Sequence, residues 1–300
     1  MSSESQPSLL HKYRGVIFSV MSSEELLGSL DSFDAREDDI FLVSYPKSGT
    51  HWLAEVIERI PNAGITLTSP VELGDISKFE ELRMVPKRRV IPTHLNYEML
   101  PVTVKQKQCK IIYIVRNPKD TAVSMFHYYR DNPNLPSTET WAAFLELFLK
   151  GDVVYGSWFD HVLSWEEHKN DKNVLFLFYE EMKKDFVKSL KKITAFLGID
   201  VNDSEMGKIA RSTSFSEMKS NAAKENCDPN HVICALTSNR NLVFRKGVVG
   251  DWINYFTPKQ NRAFDELFTE KMRNSEVGRH LKEYAQSQTL EEGVRAIADA

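Results

Sequence analysis

Three apolar runs, at residues 40–45, 110–115 and 173–179, are short, rich in β-branched and aromatic residues, and closed by polar or turn residues. That is the pattern of strands buried on both faces of a parallel sheet. Between the runs the period changes to that of a helix. Trp52, Leu53, Val56, Ile57 and Ile60 share one face until Pro61 stops it. Pro118 suits a first helical position, and Ala122, Val123, Phe126 and Tyr129 mark the face that follows. Residues 131–140 read as a turn, with Thr138 or Thr140 as cap for a helix that runs from Trp141 to Lys150 and ends at Gly151. Further helices are expected near 156–168, over 186–197 before Gly198, and near 258–272.

The remaining pattern is weaker. Residues 1–37 read as an extended arm and a short helix capped by Ser23, and 89–95 as a brief apolar piece that carries His94 near its end. Residues 200–218 look helical and then irregular, 219–250 look like loop, and a polar tail closes the chain. Residues 61–88 carry Pro61, Gly64, Pro70, Gly74 and Pro86 with little periodicity, which suits either a functional lid or a solvated insertion.

Strands alternating with helices predict an α/β fold, a single domain with a central parallel sheet flanked by helices. The division expected is an arm and short helix over 1–38, a body over 39–285 and a tail over 286–300. Ligands of such sheets bind at the carboxyl ends of the strands. Lys47, His94, Arg116 and Tyr179 follow four different strands there: two cations, a histidine and a phenol on one edge.

Composition narrows the partners. The 300 residues are 42% hydrophobic, enough for a full core, and the net charge of −4 offers no global field for nucleic acid or an anionic membrane. The N-terminus lacks a basic and then apolar leader, and no apolar run approaches a membrane span. Cys109, Cys227 and Cys234 are odd in number and lack metal-ligand spacing. A cytoplasmic protein with no nucleic-acid or membrane partner and no metal is expected.

The chemistry concentrates in Tyr45-Pro46-Lys47-Ser48-Gly49-Thr50-His51-Trp52. A strand, a tight loop and a helix N-terminus make an anion cradle from unpaired amides and the helix dipole, to which Lys47 adds a cation. Lys47 precedes Gly49 and the earlier glycine is absent, so the G-x-x-x-x-G-K-[ST] loop of nucleotide-cleaving proteins does not fit. Arg116 closes an apolar strand, where a guanidinium needs an anion, either a ligand or a carboxylate such as Asp120. Ser124, two turns into the next helix, could share that ligand. A histidine ordinarily titrates near neutrality, so His94 is expected to be able to take a proton from an alcohol or phenol. Arg245 and Lys246 beside Gly247, with Arg240 in the same loop, could wrap a phosphate. Trp52, Phe215 and Tyr179 offer faces for a purine or simply pack in the core.

These segments occur in an order that resembles the cytosolic sulfotransferases of vertebrate type. The likeness runs through 45–52, Thr93-His94-Leu95, Arg116-Asn117-Pro118-Lys119-Asp120 with Ser124, Tyr179-Glu180, Thr213-Ser214-Phe215-Ser216-Glu217-Met218 and Arg245-Lys246-Gly247-x-x-Gly250-Asp251-Trp252. It implies the cofactor 3′-phosphoadenylyl sulfate, leaving adenosine 3′,5′-bisphosphate, with no metal. By that resemblance residues 47–52 form a P-loop-like phosphosulfate-binding loop, and Arg116, Ser124, Arg245, Lys246 and Gly247 hold the 3′-phosphate. Tyr179 and the stretches 213–218 and 243–247, which bring in Ser214, Ser216, Glu217, Met218, Val243 and Phe244, surround the rest of the nucleotide. His94 would be the base and Lys47 its catalytic partner, with a phenol, steroid, iodothyronine or amine as small-molecule acceptor.

Three departures stand out. Pro92 occupies a position where members of the family often carry lysine. The 61–88 segment is shorter than in many members and lacks their apolar lid residues. The family's dimerisation motif K-x-x-x-T-V-x-x-x-E is reduced to Ile253, Thr257, Pro258 and Arg262, which implies a monomer or weak homodimer.

Overall fold

The computed structural model describes residues 8–222 and 243–286; Cys227, Cys234, Arg240, residues 1–7 and the tail beyond 286 lie outside the described residues. Where an extended arm was expected, the chain opens as an antiparallel hairpin, β1 (Leu10–Tyr13) and β2 (Val16–Ser19). Arg14 and Gly15 turn it in left-handed backbone, φ 49° and 81°, the twist that suits a two-residue hairpin loop. Phe18 is fully buried and fastens the hairpin to the main core. Helix α1 (Glu24–Gly28) follows, with the Ser23 hydroxyl accepting from the Leu26 amide as expected.

Among the described residues, one parallel sheet contains β3 (Ile40–Val43), β4 (Ile65–Leu67), β5 (Arg88–Thr93), β6 (Lys110–Val115) and β7 (Val174–Phe178) in the order β4-β5-β3-β6-β7. Every residue of β3 is buried, because helices cover both faces. Ile40 and Leu42 pack with Leu53, Val56 and Ile57 of α2 (Thr50–Glu58) on one face, while Phe41 and Val43 join a larger core on the other. Asp39, just before β3, accepts from the Arg89 Nε of β5 at 2.7 Å; both side chains are buried, and the pair ties the two strands together at one end.

Helix α3 (Lys78–Met84) and strand β4 occupy the 61–88 segment, which is therefore not a plain irregular loop. Helix α4 (Val102–Gln106) precedes β6 and was not signalled by the pattern. Helix α5 (Pro118–Asp131) begins at its proline, with Asn117 accepting from the Asp120 amide. Helix α6 (Trp141–Lys150) is capped by Thr140 and closed by Gly151 at φ 75°. After α7 (Trp158–Glu166) and β7 come α8 (Tyr179–Lys184), α9 (Phe186–Leu197), α10 (Asp203–Ser212) and α11 (Phe215–Ala222). Helix α12 (Pro258–Lys271) is followed by α13 (Glu276–Ala285), a helix that the pattern did not signal. Among the described residues no helix is long and apolar enough to cross a membrane.

Candidate active site

Because the sheet strands are all parallel, their carboxyl ends share one edge. The loop after β3 carries Lys47, β5 delivers His94, β6 delivers Arg116, and Tyr179 starts α8 directly after β7. Lys47, Gly49, Thr50, His51, Trp52, His94, Arg116, Ser124 and Tyr179 line one cavity there, and Phe215, Met218, Val243, Phe244, Arg245, Lys246 and Gly247 close its other side.

The loop is built for close approach. Lys47 and Gly49 hold left-handed backbone, φ 67° and 114°, and Gly49 is the N-cap of α2 without a side-chain cap of its own. A Cβ on Gly49 would lie 2.9 Å from the Tyr179 ring, so glycine is needed for space as well as for φ. Ser48 is buried, and its hydroxyl has no partner. The Lys47 ammonium sits 4.5 Å from the centre of the Tyr128 ring. Burial first, then repulsion from Arg116 and Arg245, bring its pKa down to about 7.

Arg116 does not pair with Asp120. Its two terminal nitrogens donate to the carbonyl oxygens of Lys47 and Val248 at 3.2 and 3.1 Å, and the guanidinium lies 4.5 Å from the Tyr179 ring centre. Among the described residues its buried Nε has no hydrogen-bond partner and no carboxylate lies within ion-pair distance. The Asp120 carboxylate instead accepts from the Gly250 and Trp252 amides at 2.7 and 3.0 Å, docking the segment that bears Arg245, Lys246 and Gly247. Arg245 and Lys246 both contact Asp251, at 2.6 and 2.7 Å. Gly247 lies so close to the Phe215 ring that a Cβ there would be 2.3 Å from it.

His94 is held both at its ring and at its own main chain. Its Nδ1–H donates to the Ser44 carbonyl at 2.8 Å, which leaves the Nε2 lone pair as proton acceptor. Burial, aided by nearby Lys47 and opposed by the Ser44 bond, brings its pKa down to about 4, so the ring is neutral at neutral pH. Its own carbonyl accepts from the Nε2–H of His161 at 3.1 Å, and its backbone amide donates to Glu72 at 2.8 Å.

Five of the residues singled out from the sequence do not line the cavity. Ser48 lies behind the loop. Thr213 is buried, and its carbonyl accepts from the Trp52 indole at 3.0 Å, which fixes the ring beside Tyr179. Ser214 receives the Glu217 amide at the start of α11, with Ser216 and Glu217 exposed beside it. Conversely, sequence reading missed Lys183, Tyr128 and Tyr155, which do line the cavity, and Ser44 and Glu72 behind it. Lys183 follows Tyr179 by one helical turn, a spacing that could have found it. The lining includes Lys47, Arg116, Lys183, Arg245 and Lys246 and, among the described residues, no carboxylate; Met21, Leu73, Leu135 and Val154 add apolar surface to it. Among the described residues no group of three His, Cys, Asp or Glu is placed to hold a metal.

The family model described as "Sulfotransferase domain" matches residues 37–276. The chain is 35% identical over 277 residues to sulfotransferase 6B1 of Mus musculus, covering 90% of this chain and 88% of that one. To sulfotransferase 1C2 of Homo sapiens it is 36% identical over 264 residues, covering 83% and 88%. Among solved structures, that of mouse sulfotransferase SULT7A1 complexed with PAP superposes with a TM-score of 0.90 at 94% identity, covering 94% of this chain and all of that one. Retinol dehydratase, at 22% identity and a TM-score of 0.72, shares the fold over 88% of each chain.

Proposed function

The chain belongs to the sulfotransferase family and is a transferase dependent on 3′-phosphoadenylyl sulfate, and on that premise we propose that it sulfates a hydroxyl or amine of a small lipophilic acceptor with His94 as general base. The observation that carries this reading is the meeting of a neutral, singly oriented histidine with a cationic phosphate loop on one sheet edge.

The residues fit the cofactor. Five cationic side chains line the cavity, its lining includes no carboxylate among the described residues, and among those residues the buried Nε of Arg116 meets no hydrogen-bond partner. Lys47 and the amides at the head of α2 would hold the phosphosulfate end. Arg116, Ser124 and Arg245 with Lys246 would hold the 3′-phosphate, the last two exchanging Asp251 for it. Trp52, Tyr179 and Phe215 supply the aromatic faces for the adenine. When bound, the cofactor supplies the sulfuryl group.

The chain's own contribution is orientation, charge and a proton acceptor. Nε2 of His94 takes the acceptor proton, because Nδ1 is committed to Ser44. Lys47 places a positive charge beside the reacting end, in a buried setting where a charge acts more strongly than in water. Tyr128, Leu135, Val154 and Met21 exclude water from the acceptor.

Adenosine 3′,5′-bisphosphate should raise the melting temperature, as any ligand of the native state must, and ATP with Mg²⁺ should do so less because it lacks a 3′-phosphate. Labelled sulfate transfer across phenols, steroids, iodothyronines and amines then identifies the acceptor. A larger shift with ATP, or transfer to none of these classes, would overturn the reading.

A further inference from the structure

We propose that Glu72 is a positioning residue for His94, its carboxyl bridging the His94 main chain and the hydroxyl of Tyr155 behind the reacting face of the imidazole. The inference rests on the reading of His94 as the base and adds a residue that the established family chemistry does not require.

Glu72 is fully buried in the segment between β4 and α3, where nothing in the sequence marks it. One carboxyl oxygen accepts from the His94 amide at 2.8 Å and from the Tyr155 hydroxyl at 3.3 Å. The other oxygen is buried and meets no hydrogen-bond partner among the described residues. Burial pushes the carboxyl pKa up, opposed by the His94 amide and by the Thr93 and Tyr155 hydroxyls. A buried carboxyl is costly unless its bonds are needed, and here those bonds meet at the residue that carries the lone pair.

Tyr155 is held as firmly as Glu72. Its φ of 64° lies in the left-handed region that bulky residues avoid, and its amide donates to the Ile17 carbonyl at 2.7 Å. Its ring meets His94 edge-on, centroids 5.1 Å apart at 73°, and it lines the cavity next to the histidine. The segment of Glu72 is clamped too: two residues on, the Gly74 amide donates to the Met21 carbonyl at 2.7 Å and the Gly74 carbonyl accepts from the Ser23 amide at 3.2 Å. The Ser44 carbonyl fixes which ring nitrogen is free. Glu72 and Tyr155 fix where the main chain and ring plane stand.

The test compares Glu72→Leu with Glu72→Gln, since the amide oxygen of glutamine can still accept from the His94 amide and leucine cannot. Glu72→Leu should lower kcat at saturating cofactor and acceptor by about tenfold or more, with affinity for adenosine 3′,5′-bisphosphate unchanged, and Glu72→Gln should recover most of the loss. A role confined to stability would lower the melting temperature and leave kcat per folded molecule alone. Normal kcat in folded Glu72→Leu, a glutamine variant no better than leucine, or nucleotide affinity falling with kcat would each overturn the inference. Should Glu72→Leu not fold, Tyr155→Phe removes the second donor: a several-fold fall in kcat alone is expected, and an unchanged kcat refutes the idea. His94→Ala run in parallel separates the two claims, because retained turnover there sinks the reading of the base itself.

Discussion

Arg116 donates to the main-chain carbonyl of Lys47 at 3.2 Å, so the residue ending β6 holds the phosphate loop that ends β3. Its second terminal nitrogen holds the Val248 carbonyl at 3.1 Å, and one side chain thus joins the two cationic segments of the cavity. Replacing Arg116 by Ala removes a charged donor and both of these ties. A charge-assisted bond contributes about 1.5–3 kcal/mol, so affinity for adenosine 3′,5′-bisphosphate should fall about tenfold to a hundredfold. Titration calorimetry measures it, and an affinity within twofold of the parent would show that Arg116 is not a nucleotide contact.

For the base, substitution of His94 by Ala should cut kcat by about a hundredfold or more while leaving nucleotide affinity nearly intact. The ring lines the cavity, and its Nδ1 is committed to the Ser44 carbonyl rather than to a nucleotide contact. Single-turnover transfer rates beside equilibrium binding of adenosine 3′,5′-bisphosphate separate the two effects.

Lys47 gives a pH dependence of definite sign. Its pKa in the free protein is about 7, and an anion placed beside the ammonium must raise it. Its contribution to affinity is fully present below about pH 7 and is lost as pH rises through the higher pKa of the complex. Binding between those values should therefore take up protons, seen as a dependence of the calorimetric heat on the ionisation enthalpy of the buffer. In Lys47→Met both that uptake and the pH slope should shrink.

Gly49→Ala tests the closeness of the loop. At φ 114° an L-residue is strained, and its Cβ would meet the Tyr179 ring at 2.9 Å and the Ile114 side chain at 3.2 Å. A loss of at least about 1 kcal/mol in stability is expected, with weaker nucleotide binding, since either the loop or Tyr179 must move. Denaturant unfolding with and without nucleotide reports both quantities.

Assembly is the last expectation. Ile253 lies in a short 3-10 turn and is exposed, Thr257 caps α12 through a reciprocal bond pair with Gln260, and Pro258 is the first residue of that helix. By the family resemblance Ile253 and Arg262 replace a lysine and a glutamate whose opposite charges would pair across a small two-fold interface, so that pairing is expected to be missing. Little surplus remains against the cost of association. Sedimentation at micromolar concentration should give one species at the chain mass of 34.5 kDa, and a single species of twice that mass would refute it.

By itself the sequence determined whatever carries a local signal. Residues 110–115 could be bounded because an apolar run stopped against polar residues and Pro118, and 186–197 because a helical stripe met Gly198. The parallel sheet followed from the alternation of such elements, and with it the edge that gathers Lys47, His94, Arg116 and Tyr179. Some signals were present and overlooked: Val277, Leu281 and Ala285 repeat every four residues in α13, amid enough charge to obscure the stripe. Others do not exist in sequence. Strand β4 has three residues, none of them fully buried, and owes its form to the neighbouring β5. Whether Arg116 meets Asp120 or two carbonyls depends on a loop more than a hundred residues away taking Asp120 first. Nothing beside Glu72 in the chain says that it is buried against His94. A residue's period is set by its neighbours in sequence, but its burial and its partners are set by groups that only folding brings within a hydrogen bond.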